Sequence, residues 1–348
     1  MEAKIKFMPR FAPTLIAYVL ALAVSFIGTG IVIYLLKMNV LTAYSFFLYE
    51  TLGTTYGIAE TLTKATPILL CALGLAPAFA SGFFNIGSEG QLFFGATISF
   101  WIWWTFNYLP PVLLFPLLIA GGFLAGGFWA LIPGILKVKL RISEVITTIL
   151  MNFIAILLVT YLVGYEGPWK DPEAQQLWSY TISSEFWLMK IIPGTRLHAG
   201  FILAILCVPL VYLLMKRGVI GYKIKAIGLN PDAAKYGGID VPKSIIITSL
   251  LSGGLAGLAG FNEAFGIQYR LMAGLSPGFG FLAIQVAVLG KNDPLGVLLW
   301  SIIYGALLNG GEAMQRGAGV PIAVSYTLMG LVMVSAIIFD IIIRRRFE

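Results

Sequence analysis

The residues of this chain with chemistry to offer are glutamates and amides set inside apolar runs. Asn85, Glu89 and Gln91 fall in SGFFNIGSEGQLFFGA (81–96), Glu144 and Asn152 in RISEVITTILMN (141–152), Glu263 in FNEAFGIQYR (261–270), Gln285 in FLAIQVAVLG (281–290) and Asn309 in AVLGKNDPLGVLLWSIIYGALLNGG. An ionised carboxylate at the centre of a membrane helix costs about 2.5–3.5 kcal/mol even on lenient insertion scales, so each glutamate must face a cavity, a partner or the membrane edge. Amides donate and accept at once, which suits a pathway for a neutral solute with several polar edges, and Phe84 and Phe153 add flat apolar neighbours. The plainer reading of any one Asn or Gln is hydrogen bonding between helices, which membrane bundles use widely.

The elements that must carry these groups are membrane spans. Of 348 residues 59% are hydrophobic and 11% charged, mean hydropathy is +0.90, and apolar runs near twenty residues recur from end to end. The class is an all-α polytopic membrane protein, read as one transmembrane domain over residues 1–348. The net charge of +7 resides at span ends rather than in one basic patch with interleaved aromatics, which argues against nucleic acid as a partner. Cys71 and Cys207 both lie in apolar spans and read as small hydrophobes, with no disulfide framework or metal site. His198, the single histidine, reads as an ordinary interfacial residue. A phosphate-binding loop, an HExxH motif and a nucleophile elbow are all missing from the sequence, so no catalytic residues and no metal site are assigned.

Ten spans are expected: about 11–36, 62–82 interrupted by Pro67 and Pro77, 84–106, 112–136, 142–164, 200–215, 244–260, a broken or re-entrant helix within 261–293, then 294–311 and 320–343. The first run is too long for the core of a signal peptide and reads as an uncleaved span. Gly122 with Gly126, and Gly253, Gly257 and Gly260, predict close helix approach. Predicted inside segments hold 16 of the 23 Lys/Arg, including Lys4, Lys6 and Arg10 at one end and Arg344, Arg345 and Arg346 at the other, which places both termini inside. The largest external segment, 165–199, carries Trp169, Trp178 and Trp187 and reads as a docking surface.

The longest polar interruption, KRGVIGYKIKAIGLNPDAAKYGGIDVPK (216–243), holds six basic residues against Asp232 and Asp240 and is read as cytoplasmic. Within it Asn230 caps a helix, Pro231 fits the first helical position, and Asp232 opposes the dipole. Gly237 and Gly238 stop that helix at Tyr236. Two turns are not stable alone in water, so the helix of Pro231, Asp232, Ala233, Ala234, Lys235 and Tyr236 needs something to dock on.

AIGLNPDAAKYGGI, with NIG-x-EGQ at 85–91 and E-V-x-x-T-x-x-x-N at 144–152, resembles permeases of the ABC importers in the ribose, branched-chain amino acid and nucleoside group. The likeness covers most of residues 62–311. It implies that Asn230 to Lys235 and Gly237 form a coupling helix seated in a cytoplasmic ATP-binding subunit. That partner, not this chain, would hold ATP and Mg. The resemblance further implies a second related permease, more readily a different chain than a copy, an external substrate-binding protein, and residence in a bacterial or archaeal inner membrane. Nucleosides are the expected solute; simple sugars, riboflavin and branched-chain amino acids stay open, as does an ion-coupled carrier using Glu89, Glu144 and Glu263.

Overall fold

The structure, a computed structural model, describes residues 11–347, with side chains from Ile16 to Ile343. Lys4, Lys6 and Arg10, on which the inward N-terminus was argued, lie outside the described residues, as do the side chains of Arg344, Arg345 and Arg346. Inside lipid every backbone N–H and C=O must be satisfied within the protein, and helices do this segment by segment. The described residues accordingly hold helices α1 (Phe11–Leu35), α2 (Val40–Leu48), α3 (Thr55–Ala80), α4 (Ser88–Phe106), α5 (Pro111–Leu140), α6 (Glu144–Leu162) and α7 (Gly200–Lys216). They continue with α8 (Val219–Leu229), α9 (Pro231–Tyr236), α10 (Val241–Asn262), α11 (Phe279–Leu289), α12 (Pro294–Ala318) and α13 (Ile322–Phe347). Extended pairing among the described residues is limited to three isolated bridges. This is a multi-pass membrane protein.

Among the described residues seven helices are long and apolar enough to cross a membrane, or eight if α7 and α8, which meet at a 65° bend, count as one span. The ten expected from sequence include two elements that fall short of that standard. α4 carries Glu89, Gln91 and Ser99, all buried, because a helix enclosed by others need not present apolar side chains to lipid. α11 is apolar but only 11 residues long. The expected interruption at Pro67 and Pro77 does not occur: α3 runs unbroken through both and begins at Thr55 rather than near residue 62. Packing around this helix, 83% buried over its apolar window, compensates for the two lost N–H donors. The break expected in 261–293 is present, as α10 passes into a π-helical turn at Glu263–Gln268, Tyr269 turns into the left-handed region at φ 54°, and the chain stays non-helical until α11.

The described chain divides into two compact units, one comprising the chain to Thr61 with Ile303 onward, the other Leu62–Ile302. In the larger unit α10 is central and packs on α5 and α4. The approach is so close that a Cβ on Gly257 would sit 2.1 Å from the Gly122 carbonyl oxygen, and one on Gly126 would sit 2.2 Å from that of Gly253. The small-residue stripes read from the sequence therefore face each other and bring backbones into contact. In the smaller unit α1 packs along α13, where Ser25 and Ser335 share a hydrogen bond of 2.9 Å and Ala17 and Ala21 are fully buried.

The short helix of the basic loop forms as expected. Asn230 Oδ1 accepts from the N–H groups of Asp232 and Ala233, both at 3.0 Å, and Gly238 turns left-handed at φ 79° after it. Its anchor to the protein is Ala234, buried with Ile227 of α8 and Ile239. Ala233, by contrast, is exposed, and Leu229 and Tyr236 at either end are 89% and 95% exposed.

Candidate functional site

The connection between α3 and α4, residues 82–87, is irregular backbone in the larger unit, and Asn85, Gln91, Glu144 and Asn152 of the polar residues singled out above gather on it. Several of its backbone groups are met by side chains of α6. Phe84 donates its N–H to Glu144 Oε1 at 3.2 Å, Ile86 donates to Thr148 Oγ1 at 3.2 Å, and the Ile86 carbonyl accepts from Asn152 Nδ2 at 2.9 Å. Asn152 Oδ1 also accepts from the Gly90 N–H at 2.8 Å, within the first turn of α4. Glu144, Thr148 and Asn152 stand four residues apart on α6, so one helix face presents all three along the broken segment. The two motifs are thus the two halves of one lock.

The loop is also tied from within and from α10. Asn85 Nδ2 donates to Gln91 Oε1 and to Ser252 Oγ, both at 2.9 Å, while its Oδ1 accepts from the Gly87 N–H at 2.8 Å and from Gln91 Nε2 at 3.0 Å. At the near end Lys137 of α5 pairs with Glu144 and donates to the Gly82 carbonyl at 2.8 Å. Nothing bulkier than hydrogen fits at Gly90, where a Cβ would meet Asn152 at 2.8 Å.

Glu89 makes a different junction. Its Oε2 accepts from the Gly280 N–H at 2.7 Å, with Ser276 and Gly278 also hydrogen-bonded to the carboxylate. A Cβ on Gly280 would lie 2.3 Å from the Glu89 nitrogen, so the N-terminal ends of α4 and α11 abut at this one buried side chain. Hydrogen bonds from the Ser276, Gly278 and Gly280 segment at the start of α11 satisfy this carboxyl group and offset the cost of holding it at 2% exposure.

The remaining candidates are placed elsewhere. Glu263 is buried in the π-helical turn, in the field of Lys64 and Arg196. Gln285 is half-buried on α11. Asn309 belongs to the smaller unit, where its Nδ2 donates to the carbonyls of Glu50 and Gly57 at 2.9 and 3.1 Å and to Thr61 Oγ1 at 3.3 Å. Sequence reasoning missed four participants in the lock and junction, Lys137, Thr148, Ser252 and Ser276. Only Thr148 carried a signal, since it sits midway between Glu144 and Asn152 on one face.

Segment 165–199 is laid along the residues that follow α10. Ser179 and Ile182 donate their N–H groups to the carbonyls of Leu271 and Tyr269 at 2.9 and 2.8 Å, Trp187 stacks on Tyr269 at 4.0 Å, and the Arg270 guanidinium lies 4.5 Å over Trp178. Trp169 is buried, and so is His198, which corrects the interfacial reading of that histidine. His198 Nδ1 accepts from the Gly200 N–H at 3.1 Å, and a Cβ on Gly266 would strike its ring at 2.5 Å. Burial pushes the His198 pKa down from 6.5 to about 4. A lowered pKa means the closed segment refuses a proton that the opened segment accepts. Stability of this region is therefore full above pH 6.5, falls between pH 6.5 and 4 by about 3 kcal/mol in all, and levels off below that. Hydrogen-exchange protection at residues 190–200, taken relative to the intrinsic rate at each pH, should fall as pH drops across that interval, and His198→Asn, which keeps an acceptor for Gly200, should abolish that pH dependence.

With this geometry in view, the chain matches the family described as branched-chain amino acid transport system, permease component, over residues 57–337. The chain belongs to that permease family. Among its relatives, the guanosine ABC transporter permease NupP of Bacillus subtilis is 36% identical over 91% of this chain and 90% of its own length. The nucleoside ABC transporter permease NupB of Lactococcus lactis is 31% identical over 93% and 90%. The glucose ABC transporter permease TsgB13 of Haloferax volcanii is 31% identical over 99% and 94%. No solved structure matches the permease. The matched region of the permease contains the whole lock, the α4–α11 junction and α9.

Proposed function

We propose that this permease is the membrane subunit of an ABC importer that carries nucleosides into the cytoplasm by alternating access, driven by ATP hydrolysis on a separate subunit. The observation that carries the solute class is likeness along nearly the full length of both chains to permeases named for guanosine and for nucleosides. The glucose permease at similar identity makes simple sugars the second reading. In this proposal the chain forms one membrane domain of ten spans with both termini inside, α4 and α11 supplying the two that lack a lipid-facing length, and it resides in a bacterial or archaeal inner membrane. α9 is then the coupling helix, and the exposed pair Leu229 and Tyr236 flanks the surface that meets the ATP-binding subunit.

Partners follow from the same reading. Bacillus subtilis and Lactococcus lactis each have two differently named permeases that resemble this chain and share a solute in their names, which favours a heterodimer here. An external binding protein would deliver the solute. The lock amides hold one wall of the pathway in shape while Phe84, 54% exposed beside them, offers a flat apolar face to a base. Calorimetric screening of the cognate binding protein, paired with uptake in cells lacking this permease, tests the solute. We expect tight binding of purine or pyrimidine nucleosides and loss of their ATP-dependent uptake. Preference for a free sugar would transfer the assignment to sugars.

A further inference from the structure

The smaller unit contains a cleft unrelated to the lock. Where α1 ends and α2 folds back beside it, an open cavity of about 780 Å³ is lined by residues 34–41, among them Tyr34, Lys37, Asn39 and Val40. It continues along α1 into a second cavity of about 370 Å³ over Ile27, Gly30 and Ile31, walled by Tyr44. Tyr34 and Val40 line both, so the two are one slot with a wide mouth. The Tyr44 hydroxyl donates to the Phe26 carbonyl, which leaves its ring as the wall and spends its polar atom. Gly30 keeps the slot open, since a Cβ there would lie 3.2 Å from the Tyr44 hydroxyl and 3.4 Å from Val40 Cγ1.

α1 is a membrane-crossing helix, so the slot opens at bilayer depth while Lys37, just past the helix end, lies at a membrane surface. Seven residues separate Lys37 from Gly30, about 10 Å along a helix. Hydrocarbon fills an apolar slot at that depth, because water is not available there. The mouth is cationic. Lys37 adopts a left-handed conformation at φ 59°, closing α1 with the Met38 N–H donating to the Ile33 carbonyl at 3.2 Å. Gly or Asn would adopt that conformation at less cost, whereas Lys adds a positive charge at the helix C-terminus. No acidic group among the described residues is paired with Lys37, and Glu50 further along is engaged by Arg316 at 4.0 Å.

We propose that this cleft binds an acidic glycerophospholipid, with its headgroup phosphate at Lys37 and one acyl chain in the slot over Gly30. A lone cation at the mouth complements a net-negative headgroup, while a zwitterionic one would bring an ammonium with no carboxylate to receive it.

Native mass spectrometry of the purified chain in neutral detergent tests this, titrating dioleoyl phosphatidylglycerol, dioleoyl phosphatidylcholine and inorganic phosphate in parallel. Phosphatidylglycerol should bind at least fivefold tighter than phosphatidylcholine. Lys37→Asn, which tolerates the left-handed backbone, should remove that preference, Lys37→Arg should keep it, and Gly30→Leu, which fills the slot, should weaken both lipids. Equal retention of the two lipids, or phosphatidylglycerol binding that ignores Lys37→Asn, would overturn the proposal. So would binding of inorganic phosphate that competes with the lipid while Gly30→Leu has no effect, since the site would then hold an ion and not a lipid. If Gly30→Leu does not accumulate, the Lys37 comparison decides alone.

Discussion

Ala233→Arg should insert and assemble normally yet reduce solute uptake and solute-stimulated ATPase activity of the complex to background. The argument rests on the division of labour within α9. Ala234 points into the cluster with Ile227 and Ile239, so enlarging it disturbs the fold of the loop itself. Ala233 is exposed one position earlier, and a long charged side chain there costs the free permease almost nothing. It would cost a docked helix a great deal, because a desolvated charge without a partner at an interface is penalised by several kcal/mol. Six residues of helix with one buried contact are not self-supporting, so in the proposed complex a partner surface on the Ala233 side would complete the support that Ala234 gives from within. ATPase and uptake assays on the reconstituted complex, with co-purification as the assembly control, measure the outcome. Normal transport by an assembled Ala233→Arg complex would show that α9 does not couple the subunits.

Asn152→Leu is expected to be the most damaging single change in the lock. Leucine branches at the same carbon as asparagine but is bulkier, and it leaves the Gly90 N–H and the Ile86 carbonyl without partners in a buried, water-poor place. Each orphaned group costs about 1–3 kcal/mol, so the total is about 2–6 kcal/mol, comparable with the margin of a folded domain. The purified variant should lose most of its thermal stability or fail to accumulate. Asn152→Asp, isosteric but unable to donate from its side chain when ionised, should keep the Gly90 contact and lose the Ile86 one. A double-mutant cycle with Thr148→Val would show coupling of at least 0.5 kcal/mol, because both side chains hold the same residue, Ile86. A stability unchanged by Asn152→Leu would mean that the loop finds other partners and that the lock is dispensable.

What the amino-acid sequence determined by itself was whatever depends on neighbours along the chain. Apolar run length established a membrane protein, because lipid thickness translates directly into helix length. The caps of α9 were legible to the residue, since Asn230, Pro231 and Gly238 act within eight positions of one another. The glycine stripes of α5 and α10 announced close approach through their spacing alone. The tertiary structure decided which groups answer which. Nothing in the local sequence around Glu144 shows that its carboxylate meets the Phe84 N–H sixty positions away, or that Gly280 donates to Glu89 across 191. Hydrogen bonds of this kind depend on where three-dimensional packing places a backbone group, not on residue type. The same reason explains the overturned expectations. Pro67 and Pro77 read locally as breaks, yet the largely buried α3 runs unbroken through them, and His198 read as interfacial until Gly266 made room to bury its ring. α4, read from sequence as a span over 84–106, carries its polar residues on buried faces, a fact about its neighbours that its own residues do not contain.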